Sequence, residues 1–184
     1  MNILIFGAQG RGKSNFVKNL LKKYSGRENW IFDPNQEYKM RNMAKDISTR
    51  QEFLLMTPHA PKSRVNVVYE EASGFFSKNG GIPQNLVKHI CRQFHTQNLN
   101  VFNYHGLTQF NTANLIYVHY IIIFRTQDDP DDVHRMFKSH KNILAAYDDV
   151  MKKTEGTFFD RRNKIYKDAY SKKFYHYHQI VQIN

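Results

Sequence analysis

Cysteine is nearly absent from this 184-residue chain. The single Cys91 excludes an internal disulfide framework and reads as a small core residue in a reducing compartment. Long hydrophobic runs are missing too. The longest candidate, Ile116 to Phe124, is broken by His119 and falls well short of the roughly 20 apolar residues a membrane span needs. The apolar start, Met1 to Phe6, lacks a basic leader and runs straight into glycines, so it does not read as a signal peptide. A soluble, cytoplasmic chain without a membrane span is expected. Acidic residues are scarce: 27 Lys and Arg face 16 Asp and Glu, a net charge of +11. That excess points to a polyanionic partner, nucleic acid first.

What is present is globular. Hydrophobic residues make up 41% and charged residues 23%, over a length that suits one domain. There is no internal repeat, low-complexity segment or linker. The expectation is a single domain over 1–184, with a core of about 1–150 and a basic, aromatic extension of about 151–184.

Apolar strands alternate with amphipathic helices. Asn2 to Phe6, Trp30 to Phe32, Val65 to Tyr69, Asn100 to Tyr104 and His119 to Arg125 read as buried strands. Ser14 to Tyr24 carries Phe16, Val17, Leu20 and Leu21 at helical spacing. Helices are also expected at Arg50 to Met56, from Pro83 to about Thr96, around Thr112 to Tyr117, at Pro130 to Lys138 and at Asn142 to Lys153. Tyr38 to Thr49 is polar and weakly patterned. Thr157–Phe159 and Lys164–Lys167 flank a turn and predict a β-hairpin. The whole predicts an α/β fold: a mainly parallel sheet with helices on both faces.

Gly7-Ala8-Gln9-Gly10-Arg11-Gly12-Lys13-Ser14 fits the phosphate-loop pattern in full, between an apolar strand and an amphipathic helix. The glycines let backbone N–H groups close round a phosphate, and the helix N-terminus adds a favourable dipole. Lys13 reaches the β- and γ-phosphates of ATP, and the Ser14 hydroxyl ligates Mg²⁺. The strand Val65 to Tyr69 ends in Glu70-Glu71. In phosphate-loop proteins the strand beside the loop ends in an acid of this kind. Glu70 is assigned to Mg²⁺ and Glu71 to the base that activates water.

These residues resemble the HerA/FtsK-type P-loop ATPases, among them small viral genome-packaging ATPases. The resemblance rests on the early phosphate loop and on Asp33-Pro34-Asn35-Gln36-Glu37-Tyr38, which is similar to the family's segment after its second strand. It rests also on the run from Val67-Val68-Tyr69-Glu70-Glu71 through Asn103-Tyr104-His105 to Ile121-Ile122-Ile123-Phe124-Arg125. It covers about residues 1–130. It implies a RecA-like core, a homo-oligomeric ring (often a hexamer) and translocation of DNA through a central channel. It also implies a polar γ-phosphate sensor at the end of the next strand. His105 stands there in place of the family's Gln, with Gln109 four residues on. The arginine that reaches a neighbour's γ-phosphate is assigned first to Arg92 and second to Arg125.

The absence of added N-terminal or membrane parts favours the packaging form. Its further partner is a capsid vertex or portal protein, and its place is the host cytoplasm or the virion. A DNA-extrusion or conjugative-transfer motor, a nucleotide kinase and a nucleotide-gated binding protein are the alternatives. Arg161-Arg162 lies too late and too isolated for a kinase's arginine lid, and Arg11 is the arginine near the loop in sequence. His176 and His178 are expected to share a polar strand face. Asp128 to Asp132 is expected to cap the helix that follows. The eight basic residues from Met151 onward, interleaved with Phe and Tyr, suit either DNA contact or a solvated face over packed aromatics. Phe75, Phe76 and Lys78 suit either a pore-facing or a surface loop.

Overall fold

The structure is a computed structural model that describes residues 1–34, 38, 43–47, 64–74, 90 and 97–183. Nine strands run through the described residues: β1 (Asn2–Phe6), β2 (Glu28–Phe32), β3 (Met43–Ile47), β4 (Val65–Tyr69), β5 (Leu99–Tyr104), β6 (Tyr120–Phe124), β7 (Phe159–Asp160), β8 (Ile165–Tyr166) and β9 (His178–Gln182). Among the described residues, four helices accompany them: α1 (Lys13–Lys23), α2 (Pro130–Met136), α3 (Lys141–Lys153) and α4 (Ala169–Phe174). Short 3₁₀ turns lie at Ala72–Gly74, Leu107–Gln109 and Thr112–Tyr117.

The main sheet has the order β3-β2-β4-β5-β1-β6-β9. The first six strands are parallel, and β9 closes the edge antiparallel to β6, with Ile122 opposite Ile180. Near-continuous apolar strands are what a parallel sheet buried on both faces requires. Alternate side chains divide between two cores. Ile3, Ile5, Ile31, Val68, Val101, Ile122 and Phe124 pack with Val17 and Leu21 of α1. Leu4, Phe6, Trp30, Val67, Tyr69, Phe102, Ile121 and Ile123 pack with Val133 of α2 and Ile143, Tyr147 and Val150 of α3. Each fully buried Ile or Leu contributes roughly 1.5–3 kcal/mol.

Several expectations are corrected. Glu70 and Glu71 do not follow a strand beside the loop strand: β5 pairs with both β1 and β4 and stands between them. Met43–Ile47 forms an edge strand although its sequence, Met-Ala-Lys-Asp-Ile, carries little apolar signal. An edge strand is held by ladder bonds on one side and needs less burial. The C-terminal stretch is not only an extension, since β9 completes the main sheet. The expected hairpin forms as β7 and β8, with Phe159 opposite Tyr166. His176 and His178 share no strand face, because β9 begins at His178 and His176 lies before it. The helices expected at Arg50 to Met56 and from Pro83 to Thr96, and the loop with Phe75, Phe76 and Lys78, lie outside the described residues save Ile90.

Candidate functional site

The C-terminal ends of β1, β4 and β5 open onto one cavity of about 350 Å³, which falls in the size range of small-molecule sites. Gln9, Gly10, Gly12, Lys13, Ser14, Glu70, Glu71 and His105 line it, joined by Phe159, Arg161 and His176 from the C-terminal stretch.

The phosphate loop spans the turn from β1 to α1. Gly12 is the N-cap of α1 at φ 104, a left-handed conformation that suits glycine, and no side chain caps the helix. No acid stands in the first turn, so the helix N-terminus presents its dipole and amides without a built-in anion. Gly7 has no room for a side chain: a β-carbon would lie 2.7 Å from Phe124 Cβ. Lys13 is buried, and its Nζ donates to the Gly7 carbonyl at 2.5 Å and to that of Ala8 at 3.4 Å. It therefore lies folded against the loop whose phosphate it is expected to hold.

The two acids at the end of β4 have different surroundings. Glu70 Oε1 accepts from Asn103 Nδ2 at 2.6 Å and from the Tyr38 hydroxyl. Tyr38 is buried, and burial first, then the Glu70 charge, pushes its phenol far above the ordinary range, so it remains a donor. The Ser14 side chain lies close to the same phenol. Ser14, Tyr38 and Glu70 are thus gathered at one place. Asp33 holds the Tyr38 backbone there: it is buried, and its Oδ2 accepts from the Tyr38 amide at 2.7 Å.

Glu71 adopts φ 55, uncommon for a residue with a side chain. Its two carboxylate oxygens lie 2.8 and 2.9 Å from His105 Nε2, in the open part of the cavity. Gln109 does not enter alongside: its Oε1 accepts from the His105 amide at 3.2 Å and braces the loop. Asp128 braces the same loop, accepting from the Leu107 amide at 2.7 Å and the Thr108 hydroxyl at 2.5 Å. Only the next acid caps α2, with Asp129 accepting from the Asp131 amide at 2.9 Å.

The structure therefore brings Lys13, Ser14, Glu70, Glu71 and His105 together. Arg92 lies outside the described residues. Arg125 is bonded within its own chain. Its Nη1 donates to the Met151 carbonyl at 3.1 Å and to Thr154 Oγ1 at 3.3 Å, at the end of α3. Arg11 points away from the phosphate position. It donates to Thr157 Oγ1 at 2.9 Å and stacks 4.1 Å over the Tyr175 ring, and burial lowers its pKa. His176 Nδ1 lies 3.0 Å from the Arg11 carbonyl and its Nε2 3.1 Å from the Tyr166 hydroxyl. The expectation that Arg11 is the one arginine near the loop is overturned by Arg161, whose Nη2 donates to the Gln9 carbonyl at 2.6 Å. Tyr38 and Asn103 stood within quoted motifs, but nothing in residue type or spacing paired them with Glu70.

Magnesium fits this donor set. A carboxylate and a hydroxyl beside a phosphate loop are the hard oxygen ligands it takes, and Asn103 Oδ1 is a buried acceptor without a hydrogen-bond partner. No helix among the described residues is long and apolar enough to cross a membrane.

Residues 1–176 match the family described as "Helicase HerA, central domain". No protein of curated function matches by sequence. Among solved structures, the genome packaging NTPase B204 from Sulfolobus turreted icosahedral virus 2 in complex with AMPPCP is 16% identical, with a TM-score of 0.63 over 90% of this chain and 94% of that one. The DNA-packaging ATPase B204 from Sulfolobus turreted icosahedral virus is 14% identical, with a TM-score of 0.64 over 90% and 95%. The N-terminal domain of zonular occludens toxin from Neisseria meningitidis is 15% identical, with a TM-score of 0.50 over 68% and 77%. These likenesses establish the fold, a RecA-like P-loop NTPase.

Proposed function

This chain belongs to the HerA helicase central-domain family, and on that premise we propose that it hydrolyses ATP to translocate DNA, packaging a viral genome into a capsid. The observation that carries the proposal is the separation of two carboxylates in one cavity. Glu70 is held by Tyr38 and Asn103, while Glu71 faces the open space beside His105.

The residues divide the work accordingly. The loop amides and the α1 N-terminus hold the phosphates, and Lys13 exchanges its loop carbonyls for β- and γ-phosphate oxygens. Ser14 and Glu70 would hold magnesium, which supplies positive charge beside the phosphates when bound. Glu71 accepts a proton from the attacking water as that water's oxygen bonds to the γ-phosphorus. The bond from the γ-phosphorus to the bridging oxygen breaks, and its electron pair leaves on ADP. His105 orients Glu71 and senses the γ-phosphate. Arg92 remains the proposed contribution to a neighbouring subunit, in a ring of six copies of this chain assembled on DNA or at a capsid vertex. The net charge of +11 suits binding to the DNA backbone.

ATP turnover measured with and without DNA tests the reading. Strong stimulation by DNA, and loss of hydrolysis in Lys13→Ala, are expected. Turnover indifferent to DNA at low salt, or phosphate transfer to nucleoside monophosphates, would refute the motor and favour a kinase.

A further inference from the structure

Arg161 stands at the turn of the β7–β8 hairpin, 152 positions along the chain from the carbonyl it holds. Its guanidinium covers Gly10, where a β-carbon would come within 2.2 Å of Nη2 and where φ is +82. It lines the cavity that also holds Lys13, Ser14, Glu70, Glu71 and His105. Among the described residues it makes no ion pair.

The hairpin does not depend on Arg161 for its place. Arg11 bonds Thr157 Oγ1 just before β7, and His176 bridges the loop to β8, with Nδ1 at the Arg11 carbonyl and Nε2 at the Tyr166 hydroxyl. Arg161 is thus a side chain carried by an anchored turn and aimed at the middle of the phosphate loop. Its present bond is to a neutral carbonyl. A phosphate oxygen is the stronger acceptor, by about twofold for a charge-assisted bond. Arg11 and Arg125 are already engaged with protein acceptors, and Arg125 and Arg161 each lie close enough to Arg11 to lower its pKa, after burial. Gathering like charges about one loop costs free energy that a bound polyanion offsets.

We propose that Arg161 is a terminal-phosphate arginine of this site, supplied within the subunit by the C-terminal hairpin and additional to the arginine a neighbour contributes. When a nucleoside triphosphate binds, the guanidinium leaves the Gln9 carbonyl and donates to γ-phosphate oxygens. It keeps all its protons and stabilises charge on the γ-phosphate as the bond to ADP breaks. An arginine delivered in cis is an established solution in phosphate-loop enzymes. The inference rests on the nucleotide reading above and adds a residue that discriminates triphosphate from diphosphate.

The test compares full-length wild type, Arg161→Ala, Arg161→Lys and Lys13→Ala. It uses affinity for ADP and for a non-hydrolysable ATP analogue, single-turnover hydrolysis and thermal melting. Arg161→Ala is expected to keep its melting temperature and ADP affinity, to bind the ATP analogue about 10-fold more weakly, and to lose on the order of 10³-fold in the hydrolysis step. Arg161→Lys is expected to recover part of the analogue affinity and less of the rate, because the point charge lacks the planar fork. Equal losses of ADP and analogue affinity would overturn the proposal and reduce Arg161 to a brace of the loop. Unchanged analogue affinity and rate would also overturn it. If Lys13→Ala binds and hydrolyses normally, the nucleotide reading itself fails, an outcome distinct from either.

Discussion

Glu71→Gln and Glu70→Gln are nearly identical substitutions with opposite expected consequences. In Glu71→Gln the amide oxygen still accepts one bond from His105, where the carboxylate now offers two at 2.8 and 2.9 Å. Both side chains are about 40% exposed, so breaking this pair costs the fold less than about 1 kcal/mol. The backbone at φ 55 is unchanged in kind. The loss falls on proton transfer, about 10² to 10⁴-fold in rate, equivalent to roughly 3–5 kcal/mol of barrier. ATP should bind with near wild-type affinity and remain unhydrolysed. Glu70→Gln removes the charge that receives Asn103 and Tyr38, and hydrogen bonds to a charged acceptor are worth about 1.5–3 kcal/mol each. This variant should melt several degrees lower and lose the magnesium-dependent part of its nucleotide affinity. Equilibrium nucleotide binding with and without Mg²⁺, followed by single-turnover hydrolysis, separates the two. Equal loss of affinity in both, or hydrolysis by Glu71→Gln at close to the normal rate, would refute the division of roles.

Three further outcomes are expected. Tyr38→Phe deletes the hydroxyl that donates to Glu70, and it should destabilise the protein by about 1–2 kcal/mol and raise the Mg²⁺ concentration needed for nucleotide binding, measured by melting and titration. Asp149 is held at a pKa of about 2 by hydrogen bonds from Gln179, Lys153 and Tyr177. A depressed carboxylate stabilises the fold above its ordinary pKa of about 4 and loses that contribution as the pH falls toward 2, so Asp149→Asn should flatten acid unfolding in that window, by less than about 1 kcal/mol after solvent screening. DNA affinity should fall by about 10³ to 10⁵-fold between 50 and 200 mM salt if six to ten phosphates are contacted, and a flat salt titration would count against backbone binding.

What could be read from the sequence follows the range of the contacts involved. The phosphate loop is local: strand, glycines, lysine and helix occur in order over residues 2 to 23, so residue type and spacing identify it. The strand bearing Glu70 and Glu71 is legible for the same reason, since its apolar run is continuous. Its neighbour is not, because strand order depends on pairing across distant segments. Hence β5 stands between β4 and β1 where adjacency is expected. The Tyr38–Glu70 bond spans 32 positions and the Arg161–Gln9 bond 152, and no periodicity marks either.

The C-terminal stretch shows what this costs in functional terms. Its composition of basic and aromatic residues suits DNA, and its fold uses several of them otherwise. Tyr175 is buried under Arg11, Tyr166 hydrogen-bonds His176, and Phe159 and Arg161 line the cavity beside the phosphate loop. Lys164, Lys167, Lys172 and Lys173 remain exposed. A phosphate loop and a basic surface are therefore joined through one hairpin. A shift of Arg161 from the Gln9 carbonyl to a phosphate would act on the same turn that carries Lys164. Charge-removing substitutions at Lys164 and Lys167 should then weaken DNA binding while leaving nucleotide affinity in the absence of DNA unchanged. If they altered nucleotide affinity without DNA present, those lysines would belong to the nucleotide site rather than to the DNA-facing surface.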